Sequence, residues 1–227
     1  MNSEGYMDYV RGEIALRGCR VLDVGAGGGA ISEYFVKEGA DEVIALEPES
    51  SGSDYKAASF ERLSQRADSY GGLRAIPETL QEYQPSENFD VVLLHNSINH
   101  LNESAVQSLH EDPDARAAFE NLISKLSTVT TEEGKVIVLD SGRASLWRYL
   151  PKSPFSIEWE KHQDPHIWVD LFEQLDFEAM SLRWTPVFGY GPVVEWLSGY
   201  KFGGFLRTAH FRLAFVHRLS QRNNKQV

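Results

Sequence analysis

A glycine loop, two strand-end carboxylates and several histidines are the groups in this sequence that can do chemistry. The run VLDVGAGGGAIS, Val21 to Ser32, sets Gly25, Gly27 and Ala30 in the three slots of a G-x-G-x-x-G/A pattern. A glycine-rich turn between a strand and a helix lets backbone approach a ligand closely, at the positive end of the helix dipole. Such a loop serves phosphates, dinucleotides and adenosyl compounds alike, so the neighbouring acids must discriminate. Asp23, at the end of the first strand, attracts a cationic group and repels a pyrophosphate. Glu47, ending the second strand, offers a carboxylate to both hydroxyls of a ribose. A sulfonium nucleoside bearing an ammonium group suits both acids, whereas a nicotinamide dinucleotide suits Glu47 and not Asp23.

Histidine changes charge near neutral pH, which fits it to remove a proton from an acceptor. His95 closes the run FDVVLLH, at the strand end where open α/β sheets place their ligands, and Asn96 follows it. His100 comes shortly after, in NSINHL. His162 and His166, in EWEKHQDPHIW, have the i, i+4 spacing of a metal pair, but Pro165 breaks a helix through both, and no metal site is expected. Alternation in IEWEKH puts Glu158, Glu160 and His162 on one side, as a polar wall for an acceptor pocket. His95, His100 and His162 are the catalytic candidates. All five tryptophans lie after the fifth strand: Trp168 and Trp184 read as core, and Trp147, Trp159 and Trp196, with Tyr200, as pocket wall. Arg143 and Arg148 read equally as an anion-binding pair and as surface arginines.

Elements that position these groups follow from the apolar runs. RVLDV (20–24), EVIAL (42–46), LRAI (73–76), FDVVLLH (89–95) and GKVIVLD (134–140) read as strands, the fourth apolar enough for burial on both faces. Helices are predicted from Gly28 to Lys37 with Gly39 as its stop, over 53–69, from Asp114 to Thr128, and from Asp164 and Pro165 to Leu175. FEAMSLRW (177–184) and AHFRLAFVHRL (209–219) alternate as antiparallel edge strands do, and the latter is expected at an exposed edge able to pair with a second chain. Strands alternating with helices make a parallel sheet. The 24 residues between the last two strands exceed a hairpin connection and are expected to wall a pocket.

A chain of 227 residues suits one sizeable core, so one domain over 1–227 is expected. Within it are expected an N-terminal helix over 1–17, acceptor-side cap segments at 141–168 and 185–208, and a frayed tail over 220–227. No apolar run is long enough to span a bilayer, and the N-terminal residues have neither a basic start nor an apolar stretch. The single Cys19 excludes an internal disulfide. Cytoplasmic location without stable membrane insertion is expected. A net charge of −11 argues against nucleic acid as a partner, although six basic residues and no acid follow residue 200. Nothing here reports the oligomeric state.

With these residues in place the chain resembles the class I S-adenosylmethionine-dependent methyltransferases, of the small-molecule type 11/12 group, over roughly residues 18–217. VLDVGAGGGAIS is similar to that family's first motif, VIALEPE to its second, FDVVLLHNSINHL to its fourth and EGKVIVLDSG to its fifth strand. The resemblance implies an α/β, Rossmann-like, doubly wound sheet of seven strands, mostly parallel, with an antiparallel C-terminal strand and helices on both faces. It implies S-adenosyl-L-methionine as cofactor and S-adenosyl-L-homocysteine as product, held by Asp23, Gly25, Ala26, Gly27, Gly29, Glu47 and Pro48. Ile76, Pro77 and Glu78 would then meet the adenine, and His95 and Asn96 the sulfonium; in similar methyltransferases a histidine at the place of His100 packs under the cofactor. Two departures stand out. The acid that often follows the third strand is displaced to Glu78 in LRAIPETL, and the glycine of a GF step before the sixth strand is Asp176. The expected activity is methyl transfer to an oxygen or nitrogen of a small-molecule acceptor. The motif N/D-P-P-Y/F that would point to nucleic acid is replaced by HNSI. An NAD(P)-binding oxidoreductase and a non-catalytic S-adenosylmethionine-binding partner subunit are the alternatives.

Overall fold

The computed structural model describes residues 3–48, 54–150, 157–185, 204–205 and 208–218. Six helices and seven strands are described, joined by short 3-10 turns. Helix α1 (Ser3–Arg11) precedes β1 (Arg20–Val24), α2 (Ala30–Lys37), β2 (Glu42–Leu46), α3 (Asp54–Ser69) and β3 (Leu73–Ile76). Then come β4 (Phe89–His95), α4 (Glu103–Ser108), α5 (Pro113–Val129), β5 (Thr130–Ser141), α6 (Pro165–Glu173), β6 (Phe177–Trp184) and β7 (His210–His217). Among these residues no helix is long and apolar enough to cross a membrane.

The strands form one sheet in the order β3-β2-β1-β4-β5-β7-β6. Pairs from β3 through β5 are parallel, and β7 runs antiparallel to both of its neighbours. The order reverses between β1 and β4, the place where open α/β sheets hold ligands. Because successive side chains alternate across a strand, each strand feeds two cores. Leu22, Ile44, Val92, Leu94, Val136 and Val138 meet α4, α5 and α6 on one face. Val21, Val43, Leu93, Ile137 and Leu139 pack with α1, α2 and α3 on the other. Each fully buried aliphatic or Phe side chain contributes about 1.5–3 kcal/mol of transfer free energy.

Local signals bound α2, α3, α5 and α6 within two residues of where the sequence places them. Asp112 and Asp164 cap α5 and α6 by accepting from the N–H groups of Asp114 and His166, and Pro113 and Pro165 open the first turns. Gly39 follows α2 in the left-handed region, φ 97°, with its N–H bonded to the Val36 carbonyl. Asp176, in the place of a glycine, also adopts φ 63°, a conformation that Asp tolerates better than most residues.

Three expectations change. The N-terminal helix expected over 1–17 ends at Arg11, where Gly12 turns into the left-handed region at φ 62°. The strand over 209–219 is not at an edge: β7 lies between β5 and β6, with residues 211–217 all buried, and β6 takes the edge with Met180 exposed. Its alternation in sequence reflects two different buried faces. Strand β5 begins at Thr130 rather than 134, continuing directly from α5; Glu133 takes φ 64° and the register against β4 shifts there. TTEEG reads as a turn in isolation, but pairing of Thr130 with Phe89 draws it into the sheet. Segment 220–227, most of 185–208, Trp196 and Tyr200 lie outside the described residues.

Candidate active site

The glycine loop crosses from β1 to α2 with Gly25, Gly27 and Gly29 all left-handed, at φ 73°, 54° and 75°. Gly25 and Ala26 donate their N–H groups to the Leu46 carbonyl at 2.8 and 3.0 Å, and Gly27 donates to Glu47 Oε2 at 2.9 Å. The loop is thereby tied to the carboxyl end of β2. The three glycines are required for different reasons. A Cβ at Gly25 would lie 2.6 Å from Ser97 Cβ, and one at Gly29 2.5 Å from Leu63 Cδ1. A Cβ at Gly27 would meet nothing within 4 Å, so this position faces open space.

Asp23 is buried beneath the loop. Ser32 of α2 donates to its Oδ2 at 2.5 Å, while the buried Oδ1 has no hydrogen-bond partner. Burial pushes the carboxyl up to about 7, the Ser32 bond pulls the other way, and the charge of Glu47 adds to the rise. A buried carboxylate with one unused oxygen is suited to a cationic partner.

A cleft of about 110 Å³ opens beside Gly25 and Pro48 and reaches Glu78, with His100 and Leu101 on its facing wall. Glu47 donates its backbone N–H to the Ile76 carbonyl at 3.1 Å, which holds the ends of β2 and β3 together under this cleft. Asp23, the glycine loop, Glu47, Pro48 and Glu78 therefore converge at the carboxyl edge of β1 to β3. His100 stands on the same cleft, with Nδ1 2.7 Å from Glu103 Oε1.

His95 occupies a different environment, on the sheet face covered by α1. The Tyr6 hydroxyl of α1 lies 2.5 Å from His95 Nε2, and the rings meet edge to face. Burial drives the imidazole down to about 4, so the ring is neutral and accepts the hydroxyl proton. Asn96, with φ 52°, turns its Oδ1 to His210 Nε2 at 3.2 Å, and His210 Nδ1 lies 2.7 Å from Thr185 Oγ1.

On the opposite sheet face, His162 Nδ1 sits 3.1 Å from Oδ1 of Asp140, a buried carboxylate near the end of β5. Arg143, expected on a ligand or on the surface, instead donates to the carbonyls of His162, Glu160 and Gln107 at 2.8 to 3.1 Å. It clamps the loop that carries His162. His166 is exposed in the first turn of α6, and among the described residues no group of three or more His, Cys, Asp or Glu side chains could hold a metal ion. Trp168 and Trp184 are core residues, and Trp147 and Trp159 are half-buried.

The methyltransferase domain family matches residues 22–137, which span the loop, both strand-end acids and the first two histidines. The chain belongs to this family. This methyltransferase-family chain is 35% identical over 164 residues to the ubiquinone biosynthesis O-methyltransferase of Neisseria meningitidis serogroup C, an alignment covering 70% of the chain and 63% of that relative. The chain thus spans less than two thirds of the curated relative's length. Its fold is similar to that of the Burkholderia thailandensis 1,6-didemethyltoxoflavin-N1-methyltransferase, crystallised with S-adenosylhomocysteine, at a TM-score of 0.59 and 14% identity over 96% of this chain and 78% of that one. A Mesorhizobium loti S-adenosylmethionine-dependent methyltransferase aligns at a TM-score of 0.63 and 11% identity, over 94% of this chain and 99% of that one. The family match separates the loop from the nicotinamide-binding loops it resembles in glycine spacing.

In this member of the methyltransferase family the strand-end rule that picks out Asp23 and Glu47 also picks out Asp140, the acid closing VIVLD, a residue outside the candidates above. Tyr6 and His210 had no such signal. They reach the site only because α1 folds over the sheet and β7 inserts beside β5.

Proposed function

We propose that the protein transfers a methyl group from S-adenosyl-L-methionine to an oxygen or nitrogen of a small-molecule acceptor. The observation that carries this reading is Asp23: a buried carboxylate with an unpartnered oxygen, under a glycine loop whose own N–H is tied to Glu47. Asp23 would hold the ammonium group, Glu47 the ribose hydroxyls, and the cleft from Pro48 to Glu78 the adenine. When bound, this cofactor supplies an electrophilic methyl: the acceptor lone pair forms the new C–O or C–N bond as the C–S bond breaks, its electrons remaining on sulfur. The chain's own work is to orient the acceptor, exclude water, and take up the acceptor's proton at a histidine.

The name of the Neisseria relative favours oxygen as the methylated atom and that of the Burkholderia neighbour favours nitrogen. The excess of acidic residues supports an acceptor other than nucleic acid, and the same reading takes the protein as cytoplasmic and as one domain. Segment 141–168 would contribute the acceptor side, where Gln107, Arg148 and residues 158–161 bound a cleft of about 590 Å³. Isothermal titration tests the reading first: S-adenosylhomocysteine binds with heat and NAD(H) gives none. Turnover of methyl-labelled S-adenosylmethionine against a panel of phenols, catechols and amines then identifies the acceptor. Binding of NAD(H) without S-adenosylhomocysteine would overturn the reading.

A further inference from the structure

Four histidines stand at the carboxyl edge of the sheet, and their surroundings differ in what each nitrogen is free to do. His210 has both nitrogens engaged, by Thr185 and Asn96. His95 Nε2 is engaged by the Tyr6 hydroxyl within a buried pocket. His100 lies on the cofactor cleft with its Nδ1 on Glu103, and among the described residues its Nε2 has no hydrogen-bond partner. Ring and carboxylate are both exposed, at 54% and 45%, so solvent competes for the contact that would orient it. His162 has its Nδ1 on Asp140, and among the described residues its Nε2 has no hydrogen-bond partner.

Asp140 is built to hold that ring. Its side chain is 1% exposed, and its Oδ1 accepts both from His162 and from the Ser141 N–H at 2.7 Å. Oδ2 is buried with no partner. A carboxylate accepts hydrogen bonds and does not donate them, so Nδ1 of His162 carries the proton, and in the neutral ring Nε2 presents its lone pair. A charge-assisted bond of this kind also stabilises the imidazolium that forms when Nε2 takes a second proton. The backbone is fixed as firmly as the ring: the Arg143 guanidinium spans the carbonyls of His162, Glu160 and Gln107, joining the loop to the end of α4. Leu139, the residue before Asp140, stands opposite His95 in the β4–β5 register, so the pair lies at the same sheet edge as the methyl-transfer site.

We propose that His162 is the base that accepts the acceptor's proton, with Asp140 and Arg143 as its positioning residues. The proposal rests on the methyl-transfer reading above. As the acceptor oxygen or nitrogen bonds to the methyl carbon, its proton passes to His162 Nε2, and Asp140 balances the imidazolium charge until water removes that proton. His95 is left as a neutral partner of Tyr6.

The experiment uses the full-length protein and three readouts. Long-range proton–nitrogen NMR reports the His162 tautomer without any acceptor: the wild type shows the Nδ1–H form and Asp140→Ala shifts the ring toward Nε2–H. With the best acceptor from the phenol, catechol and amine panel, His162→Ala lowers kcat by about 100-fold at unchanged KM for the methyl donor, and added imidazole restores part of the rate. Asp140→Asn, which keeps the side-chain volume, lowers kcat by about tenfold or more, also at unchanged donor KM. Titration with S-adenosylhomocysteine remains as in the wild type for all variants. A His162→Ala enzyme of undiminished kcat, or an Nε2–H tautomer in the wild type, would overturn the proposal. Failure of the wild type to bind S-adenosylhomocysteine would instead overturn the methyl-transfer reading, and the tautomer measurement would still decide what Asp140 does to His162.

Discussion

The Tyr6 hydroxyl sits 2.5 Å from Nε2 of His95, across 89 residues of sequence, and joins the helix that opens the chain to the strand at the centre of the sheet. Tyr9, on the same helix, donates to the Arg183 carbonyl at 3.1 Å. Helix α1 is therefore fastened over the carboxyl edge by polar contacts as well as by its apolar face. Replacing Tyr6 with Phe leaves His95 Nε2 buried without its donor, so the variant should lose about 1–3 kcal/mol of stability by chemical denaturation.

His95 also confers sensitivity to acid. Its folded value near 4 lies below the usual 6.5 for imidazole, so the unfolded chain binds more protons between those values. Stability should then fall as pH drops from about 6.5 toward 4, and His95→Gln should flatten that part of the curve. Denaturation midpoints measured across this range check it; equal slopes in both proteins would contradict it.

Asp23 should impose the opposite slope. Its carboxyl rises from 3.8 to about 7 on folding, so the folded chain holds the extra proton and loses stability as pH climbs through that window. Asp23→Asn keeps a hydrogen-bond acceptor for Ser32 and removes the buried charge. The variant should be more stable than the wild type at pH 8, converge with it near pH 4, and fail to bind S-adenosylhomocysteine. Thermal melts at the two pH values, with calorimetric titration, provide the comparison.

The loop glycines should separate folding from binding. Gly25→Ala forces a Cβ to 2.6 Å from Ser97 Cβ on a left-handed backbone, and should lower both stability and cofactor affinity. Gly27→Ala meets no atom within 4 Å and pays only the left-handed penalty of about 1–2 kcal/mol, yet it fills the face offered to the ligand. Its melting temperature should fall modestly while S-adenosylhomocysteine binding is lost.

Arg212 is the buried anchor for the same helix. Its guanidinium donates to the carbonyls of Val10 and Arg11, each at 2.9 Å, and occupies the space where a Cβ on Gly12 would lie. Arg212→Gln should cost about 2 kcal/mol or more, because hydrogen bonds to a charged group are lost in a buried place. Hydrogen exchange of the amides at 6–11 should accelerate beyond that of the strands.

How far the sequence could be read depended on distance along the chain. The strands at 20–24, 42–46, 73–76, 89–95 and 177–184 have the bounds that their apolar runs predict, because burial on both faces or one leaves a direct trace in residue type. Helix α4, six residues between His100 and α5, left no such trace; a single turn and a half is too short for periodicity to show. Strand β5 starts at Thr130, ahead of its apolar run, because pairing with β4 overrides the turn chemistry of TTEEG. Asp23, Glu47 and Asp140 are all legible as acids at the ends of buried strands, although only the fold shows that Asp140 meets a histidine. Arg143 was not legible: its three carbonyl partners lie in two separate segments, the end of α4 and the loop of Glu160 and His162, and a guanidinium looks the same in sequence whether it binds a ligand or a loop.

From the sequence alone came the glycine loop with its two strand-end carboxylates, because a parallel strand, a tight turn and a helix are local structures set by neighbouring residues. The tertiary structure decided which histidine is held by a buried carboxylate with a nitrogen left to offer. His95, His100 and His162 are alike as residue types, and only the approach of Tyr6, Glu103 and Asp140 makes one a buried neutral ring, one an exposed ring on the cleft between Gly25 and Glu78, and one an imidazole oriented by a buried carboxylate. Of those partners, Glu103 alone is a near neighbour in sequence. Tyr6 and Asp140 are brought in by packing across the two faces of the sheet, where the cost of burying an unpaired polar group selects the contacts.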